Sequence, residues 1–406
     1  MTERTTCAVV GGGPAGMMLG LILARCGVDV TVFEKHADFL RDFRGDTVHP
    51  STLTLLDELG LFEQFDALPH SRLERVELPI GDTVVTPVDF SRLPVAHPYI
   101  AMAPQWDFLN LLAKAGENEP HFTLRMSTEV TGLLKDGSTV IGVRYRGPDG
   151  DGELRADLTV ACDGRSSLLR AAAGLTPRSY PVPFDVWWFR LPRADEADYS
   201  LLPRTMPGRA IIMIPRVGYF QIAYLIPKGA DAQLRARGLD SLRAELSVLA
   251  PECDAASIDD WDDVKLLNVQ LNELPRWYGD GLLCIGDAAH AMSPAGGVGV
   301  NLAIQDAVAA AGLLWRPLRD GTVGEADLAA VQRRRGLQTR AVQFVQRMIH
   351  RVLLKPVLAG RDITAPNPAI RLGAAVLRRF PAIAGIPARV VGLGLRPEHV
   401  PEPARR

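Results

Sequence analysis

The chain has 406 residues, 45 basic against 47 acidic, with a formal net charge of −2 and 47% hydrophobic residues. That is room for two or three globular domains, with no overall electrostatic reason to bind nucleic acid. Its five cysteines (Cys7, Cys26, Cys162, Cys253, Cys284) form no C-x-x-C pair and no metal-ligand spacing; this excludes a disulfide-stapled scaffold, predicts no metal, and suits free thiols in a reducing cytoplasm.

Thr5 to Ala24 carries no charge, a length that could mimic a membrane span, but Gly11, Gly12, Gly13, Pro14 and Gly16 interrupt it. The run is better read as a strand, Cys7–Val10, then a G-x-G-x-x-G turn, then a helix to Arg25 stopped by Gly27. A second strand, Val28–Phe33, ends in Glu34 and Lys35. Each part has a physical job in holding a dinucleotide. Gly11 permits the tight turn, Gly13 lets a diphosphate approach the backbone, and Gly16 lets the helix pack on the sheet. Pro14 and Ala15 open the helix, whose free N–H groups face the phosphates. Glu34 is placed for ribose hydroxyls and disfavours a 2′-phosphate, so FAD or NAD is expected there rather than NADP.

Further along, Arg44 lies in a loop before a helix, Thr52–Leu59. Alternating strands are expected within Leu73–Tyr99, and Gln105 precedes a helix, Phe108–Ala115. A strand, Leu158–Ala161, runs into Cys162-Asp163-Gly164-Arg165-Ser166, where another helix starts and is ended by Gly174. Val186–Leu191 reads as a strand; Arg209–Pro215 and Tyr219–Pro227 read as a hairpin, followed by a helix over Ala232–Leu249. The buried strand Leu282–Ile285 leaves through Gly286-Asp287-Ala-Ala-His290, and Pro294-Ala-Gly296-Gly297-Val-Gly299-Val300-Asn301 opens a helix to about Trp315. Asp327 to Leu354 is one long amphipathic helix broken by Pro356. No second G-x-G-x-x-G fits, so a nicotinamide cofactor has no Rossmann unit of its own.

In order, the glycine turn, the Asp163-Gly164 segment and the Gly286-Asp287 segment resemble the fingerprints of single-component flavoprotein aromatic hydroxylases, the para-hydroxybenzoate hydroxylase-like family, across residues 5 to 320. The resemblance implies an α/β fold: a Rossmann-like FAD-binding domain (1–72, 99–178 and 272–321), an inserted antiparallel-sheet substrate domain (73–98 and 179–271) and a helical C-terminal region (322–406). It implies FAD as cofactor and NADPH or NADH as co-substrate, with Asp287 on a ribityl hydroxyl and Gly297, Gly299, Val300 and Asn301, after Pro294, near the flavin ring. Arg44, Gln105, Val130 and Asp163 are carried over as further FAD contacts.

The implied reaction is hydroxylation of an aromatic or heteroaromatic small molecule with NAD(P)H and O2, through a flavin C4a-hydroperoxide. Two other readings stay open: an FAD-dependent reductase of isoprenoid-type double bonds, and a non-catalytic flavin sensor. Flavin halogenases are excluded because Trp187-Trp188-Phe189 does not supply Trp-x-Trp-x-Ile-Pro. Trp187, Trp188, Phe189, Phe220 and Tyr224 are candidate walls of a substrate chamber. His49, Asp46 and Tyr224 are candidate bases, with no catalytic residue assigned. Residues 340–406 carry 12 basic and 3 acidic residues. Three readings of this tail rank in order: a solvated helical face, a dimer contact or cover over the flavin domain, and attachment to an anionic membrane surface. A cytoplasmic monomer or homodimer is expected.

Overall fold

Short runs rich in Val, Ile, Leu and Ala, bounded by glycine turns, build the centre of the molecule as strands buried on both faces. The structure is a computed structural model that describes residues 3–40, 47–80, 83–193, 202–206, 208–216, 218–360, 375 and 377–406. In chain order the main sheet takes β1 (Glu3–Val10), β2 (Val30–Phe33), β3 (Phe122–Arg125), the meander β4 (Glu129–Asp136), β5 (Thr139–Gly147) and β6 (Gly150–Ala161). A second, five-stranded antiparallel sheet follows. It contains β7 (Phe184–Pro192), β8 (Leu202–Met206), β9 (Arg209–Pro215), β10 (Tyr219–Pro227) and β11 (Lys265–Leu267), in the spatial order β8-β9-β10-β7-β11. The chain then returns to the main sheet with β12 (Tyr278–Gly279) and β13 (Leu282–Cys284). The main sheet's backbone order is β12-β13-β6-β1-β2-β3, parallel from β13 through β3.

Helices pack on the two sheets. They include α1 (Pro14–Arg25), α2 (Pro50–Glu58), α3 (Gln105–Glu117), α4 (Leu168–Ala172), α5 (Leu239–Leu249), α6 (Gly299–Arg319), α7 (Glu325–Ile349) and α8 (Gly385–Gly392). Gly16 and Gly20 explain how closely α1 lies on the strands. A Cβ at Gly16 would fall 2.0 Å from the Gly11 carbonyl oxygen, and one at Gly20 would fall 2.6 Å from Val32 Cγ2.

Three elements differ from the sequence reading. The helix expected over Ala232–Leu249 is two: a short one, Asp231–Arg235, and α5, parted by Gly238 at φ +86°. The helix after Asp163-Gly164 begins at Leu168, not at Arg165, because Ser167 caps it by accepting the Arg170 N–H at 3.0 Å. Pro356 does not break the long helix. After α7 comes a π-helical turn, His350–Leu354, and Pro356 sits in the first turn of Lys355–Leu358, where a missing N–H costs little. Gly360, at φ +77°, follows that turn. Among the described residues no helix is long and apolar enough to cross a membrane.

Candidate active site

Val10 stands level with Phe33 on one side and Ala161 on the other, and Ala161 with Cys284. The glycine turn, the Asp163 turn and the Gly286 turn therefore all leave from the carboxyl edge of one parallel sheet, where open α/β sheets hold their ligands. Gly11, at φ +107°, is pressed onto the second of these turns: a Cβ there would lie 2.4 Å from the Cys162 carbonyl oxygen. Gly13 behaves oppositely, since a Cβ at that position meets nothing within 4 Å. The turn is tight where it packs and open where it faces outward. No side chain caps α1, so its first N–H groups remain available at that opening. Pro14 is the first helical residue, and Ala15 is buried. Glu34 is buried at the end of β2, its two carboxylate oxygens accepting the Gly12 and His36 amides, each at 3.0 Å. Lys35 is exposed beside it.

The late turn locks into the first. Gly286, at φ +58°, has the Cβ of Ala303 at 3.1 Å and that of Ala15 at 3.5 Å from where its own Cβ would be. Asp287 keeps about a third of its side chain exposed, with Arg165 Nη2 at 3.5 Å from its Oδ2. Arg170 ties the two turns by donating to the carbonyls of Ala288 at 2.9 Å and Arg165 at 2.8 Å. Asp163 Oδ2 accepts the Leu169 amide at 3.1 Å, while its buried Oδ1 has no partner among the described residues. Burial pushes the Asp163 carboxyl above the usual carboxylate range.

Gly296 and Gly297, at φ +83° and +63°, lead into α6, whose N-terminus also lacks a side-chain cap. Thr47 Oγ1 donates to the Gly297 carbonyl at 2.9 Å, and His49 Nε2 lies 3.0 Å from the same oxygen. Asn301 Oδ1 accepts the hydroxyls of Ser51 and Thr52, both at 2.8 Å, so this side chain clamps α6 to α2. Pro294, Gly299 and Val300 are half-buried around the helix start, and Val300 packs on the main core.

The remaining candidates scatter. Gln105 is the first residue of α3 and half-buried; Val130 is buried in β4, opposite Tyr145 of β5. Arg44 and Asp46 lie outside the described residues. His49 is fully buried with both ring nitrogens against carbonyls, Gly297 and, at 3.0 Å, Val391, so it is a link between the glycine cluster and α8. Tyr224 is buried and hydrogen-bonds Glu245, which also pairs with Arg209 at 2.8 Å. Neither side chain is presented to a substrate.

The expected chamber wall also needs correction. Trp187, Phe189, Phe220 and Tyr224 pack together with Leu242, Leu246 and Leu249 of α5, on the sheet face turned away from the 71–102 segment. Strand alternation puts Trp188 on the other face, with Ile212, against Leu73, Met102 and Ala388. Its buried Nε1 has no partner among the described residues.

One constellation had no sequence signal. Asp306, fully buried in α6, accepts the Gly286 amide at 3.1 Å, sits 2.5 Å from His290 Nε2, and accepts Arg335 Nε at 3.0 Å. Arg335, also fully buried, continues to Glu398 at 3.2 Å. Burial alone would raise the Asp306 carboxyl, but His290 and Arg335 outweigh it and hold it below its ordinary range. These partners lie 16 to 63 residues apart, beyond any local motif.

The residues fit FAD. The open cradle at Gly13, the two uncapped helix N-termini and the unpartnered Asp163 Oδ1 are what a ligand with a diphosphate, hydroxyls and an anionic ring edge would use. Comparison with known proteins agrees. A family described as "FAD binding domain" matches residues 4–345. The chain is 32% identical over 402 residues to 6-methylpretetramide 4-monooxygenase of Streptomyces rimosus, covering 95% of this chain and 92% of that protein. It is 31% identical over 323 residues to a 12-dehydrotetracycline 5-monooxygenase/anhydrotetracycline 6-monooxygenase from the same species, covering 75% of this chain but 61% of that one. Its fold is similar to that of OxyS anhydrotetracycline hydroxylase from S. rimosus, with a TM-score of 0.76 at 23% identity over 97% of this chain and 77% of the other.

Proposed function

Since the chain belongs to the FAD-binding-domain family of flavoprotein monooxygenases, we propose that it hydroxylates a fused-ring aromatic of the tetracycline type. It is an FAD-dependent monooxygenase that uses NAD(P)H and O2 to hydroxylate an aromatic small molecule. The narrower substrate class rests on one observation, the identity with 6-methylpretetramide 4-monooxygenase along almost the whole of both chains.

When bound, FAD supplies the redox chemistry that activates oxygen. The chain's own part is to bind, orient and exclude water. In this reading Gly11, Gly13, Pro14, Ala15 and Gly16 receive the diphosphate at the α1 N-terminus, and Glu34 and Lys35 meet the adenosine ribose. Gln105 and Val130 flank that half of the cofactor. Asp163, Gly286 and Asp287 take the ribityl chain, with Arg165 and Arg170 fixing the two turns against each other. The free backbone amides of Gly299, Val300 and Asn301 at the α6 N-terminus would offer partial positive charge to the flavin ring, while Gly297, its amide held by the Pro294 carbonyl at 3.0 Å, would shape the turn beside it. Substrate would then lie on the side of the antiparallel sheet that carries Trp188, opposite α5.

The test is turnover of purified, FAD-loaded protein with NADH or NADPH and a panel: 6-methylpretetramide, anhydrotetracycline and para-nitrophenol. Substrate-stimulated NAD(P)H oxidation, oxygen uptake and a product heavier by one oxygen atom are expected with the fused-ring compounds. Turnover of the single-ring phenol alone overturns the substrate class.

A further inference from the structure

Helix α7 buries apolar Leu328 and Val331 in its first turns, but from Arg335 onward it is turned inside out. A helix on a protein surface normally buries its apolar stripe and exposes its polar one. Here Arg335, Gln338, Thr339, Gln343 and Gln346 are buried. They have polar work inside: Arg335 meets Asp306, Gln343 Nε2 donates to the Asn272 carbonyl at 2.7 Å, and Gln346 Nε2 donates to those of Ser293 and Ala295 at 2.8 and 2.9 Å. The outward crest is apolar instead. Leu337 is 68% exposed, Phe344 57% and Val352 56%, with Val345, Met348 and Leu353 between and beside them. At 1.5 Å per residue, Leu337 to Lys355 runs about 27 Å.

Cations edge this stripe. Arg333, Arg340, Arg347, Arg351 and Lys355 are all exposed, and no Asp or Glu occurs between residues 328 and 360. Arg340 has Glu273 at 3.8 Å, and Arg347 lies over the Tyr180 ring at 4.4 Å. This face is therefore not a solvated polar one. A second copy is a poor occupant: two-fold pairing would set these cations against themselves with no acid between residues 328 and 360 to offset them.

We propose that the outer face of α7 and the turn after it, Leu337 to Lys355, rests the protein on an anionic lipid surface. The apolar crest enters the acyl boundary, and the Arg and Lys stems lie along it with their charged heads at the phosphates. The inverted pattern then has one cause at each face: polar anchors toward the Gly286 and Ser293 loops, an apolar and cationic crest toward lipid.

Co-sedimentation of the full-length holoprotein with vesicles tests this. Vesicles with a quarter phosphatidylglycerol should bind it, pure phosphatidylcholine should not, and roughly 1 M salt, where the screening length is ~3 Å, should release it. Arg347→Gln and Arg351→Gln should each lower the partition coefficient about fivefold. The triple change Phe344→Ser, Met348→Ser, Val352→Ser should abolish binding, with flavin content and Tm as in the parent. If the triple variant fails to fold, the two glutamine variants decide the matter. No binding to anionic vesicles, equal binding to neutral ones, or glutamine variants that bind like the parent overturns the proposal. So does a concentration-dependent dimer in sedimentation velocity that serine substitution dissolves while vesicle binding is absent.

Discussion

Gly13 and Gly16 lie three residues apart in one motif, yet they answer to different forces. Gly13 has ordinary extended φ and ψ (−77°, −176°) and empty space where a Cβ would go. Gly13→Ala should fold with an unchanged Tm and bind FAD about tenfold more weakly, ~1.4 kcal/mol, by equilibrium titration of the stripped protein. Gly16→Ala drives a methyl to 2.0 Å from a backbone oxygen that cannot yield. It should lower stability by at least the ~1–3 kcal/mol of ordinary overpacking, read as a lower urea midpoint. Asp287→Ala removes the partly exposed carboxylate of the late turn and should loosen FAD by about 1.5–3 kcal/mol; a variant that keeps its flavin through gel filtration as firmly as the parent refutes the role. His49 carries a pH signature. Burial pushes its pKa down, against two carbonyl contacts that push it up, and burial likewise lowers His350. As pH falls below about 6.5, the unfolded chain takes up protons that the folded one refuses, so stability drops, with a limiting slope of ~1.4 kcal/mol per pH unit for each such group. Urea midpoints at pH 7.5 and 5.5 should differ in that direction, and His350→Gln should shrink the difference.

At the scale of elements, local punctuation was readable and distant partnership was not. The strand, glycine turn and helix of the first unit follow from spacing within a few residues. The strand at β7 was equally visible, but which of its side chains faced α5 was not. That is why Trp187, Phe189, Phe220 and Tyr224 were read as chamber wall when they are core. α7 owes its buried Arg335 to Asp306 of α6, and its buried Gln343 and Gln346 to the carbonyls of Asn272, Ser293 and Ala295. Asp306→Ala would leave the fully buried Arg335 with Glu398 and Gln338 only, and would free the Gly286 amide. The expected loss is about 3–5 kcal/mol in denaturant unfolding, with weaker flavin retention because the late turn loses its anchor.

At the scale of the whole molecule, the segment after α8 returns to the main core. Val400 and Ala404 are buried in the main core; the Val400 amide donates to Glu58 Oε2 at 2.7 Å, and Arg406 N donates to the Glu58 carbonyl at 3.1 Å. Glu398 meets both Arg334 and Arg335. Part of the basic tail is thus a cover on the main core. A chain ending at Leu395 takes Glu398 away from Arg334 and Arg335, leaves Arg335 with Asp306 and Gln338, and opens that core where Val400 and Ala404 pack. It should be destabilised, seen as a lower Tm of both FAD-loaded and stripped protein.

The sequence by itself determined the αβ class, the nucleotide turn and the order of the three glycine–acid segments. These are set by torsional freedom, periodicity and spacing over a handful of residues. Only the tertiary structure decided that these segments share one sheet edge, that Thr47 and His49 brace Gly297 some 250 residues away, and which face each helix and strand buries. Such contacts depend on how layers stack, and chain spacing carries no record of them.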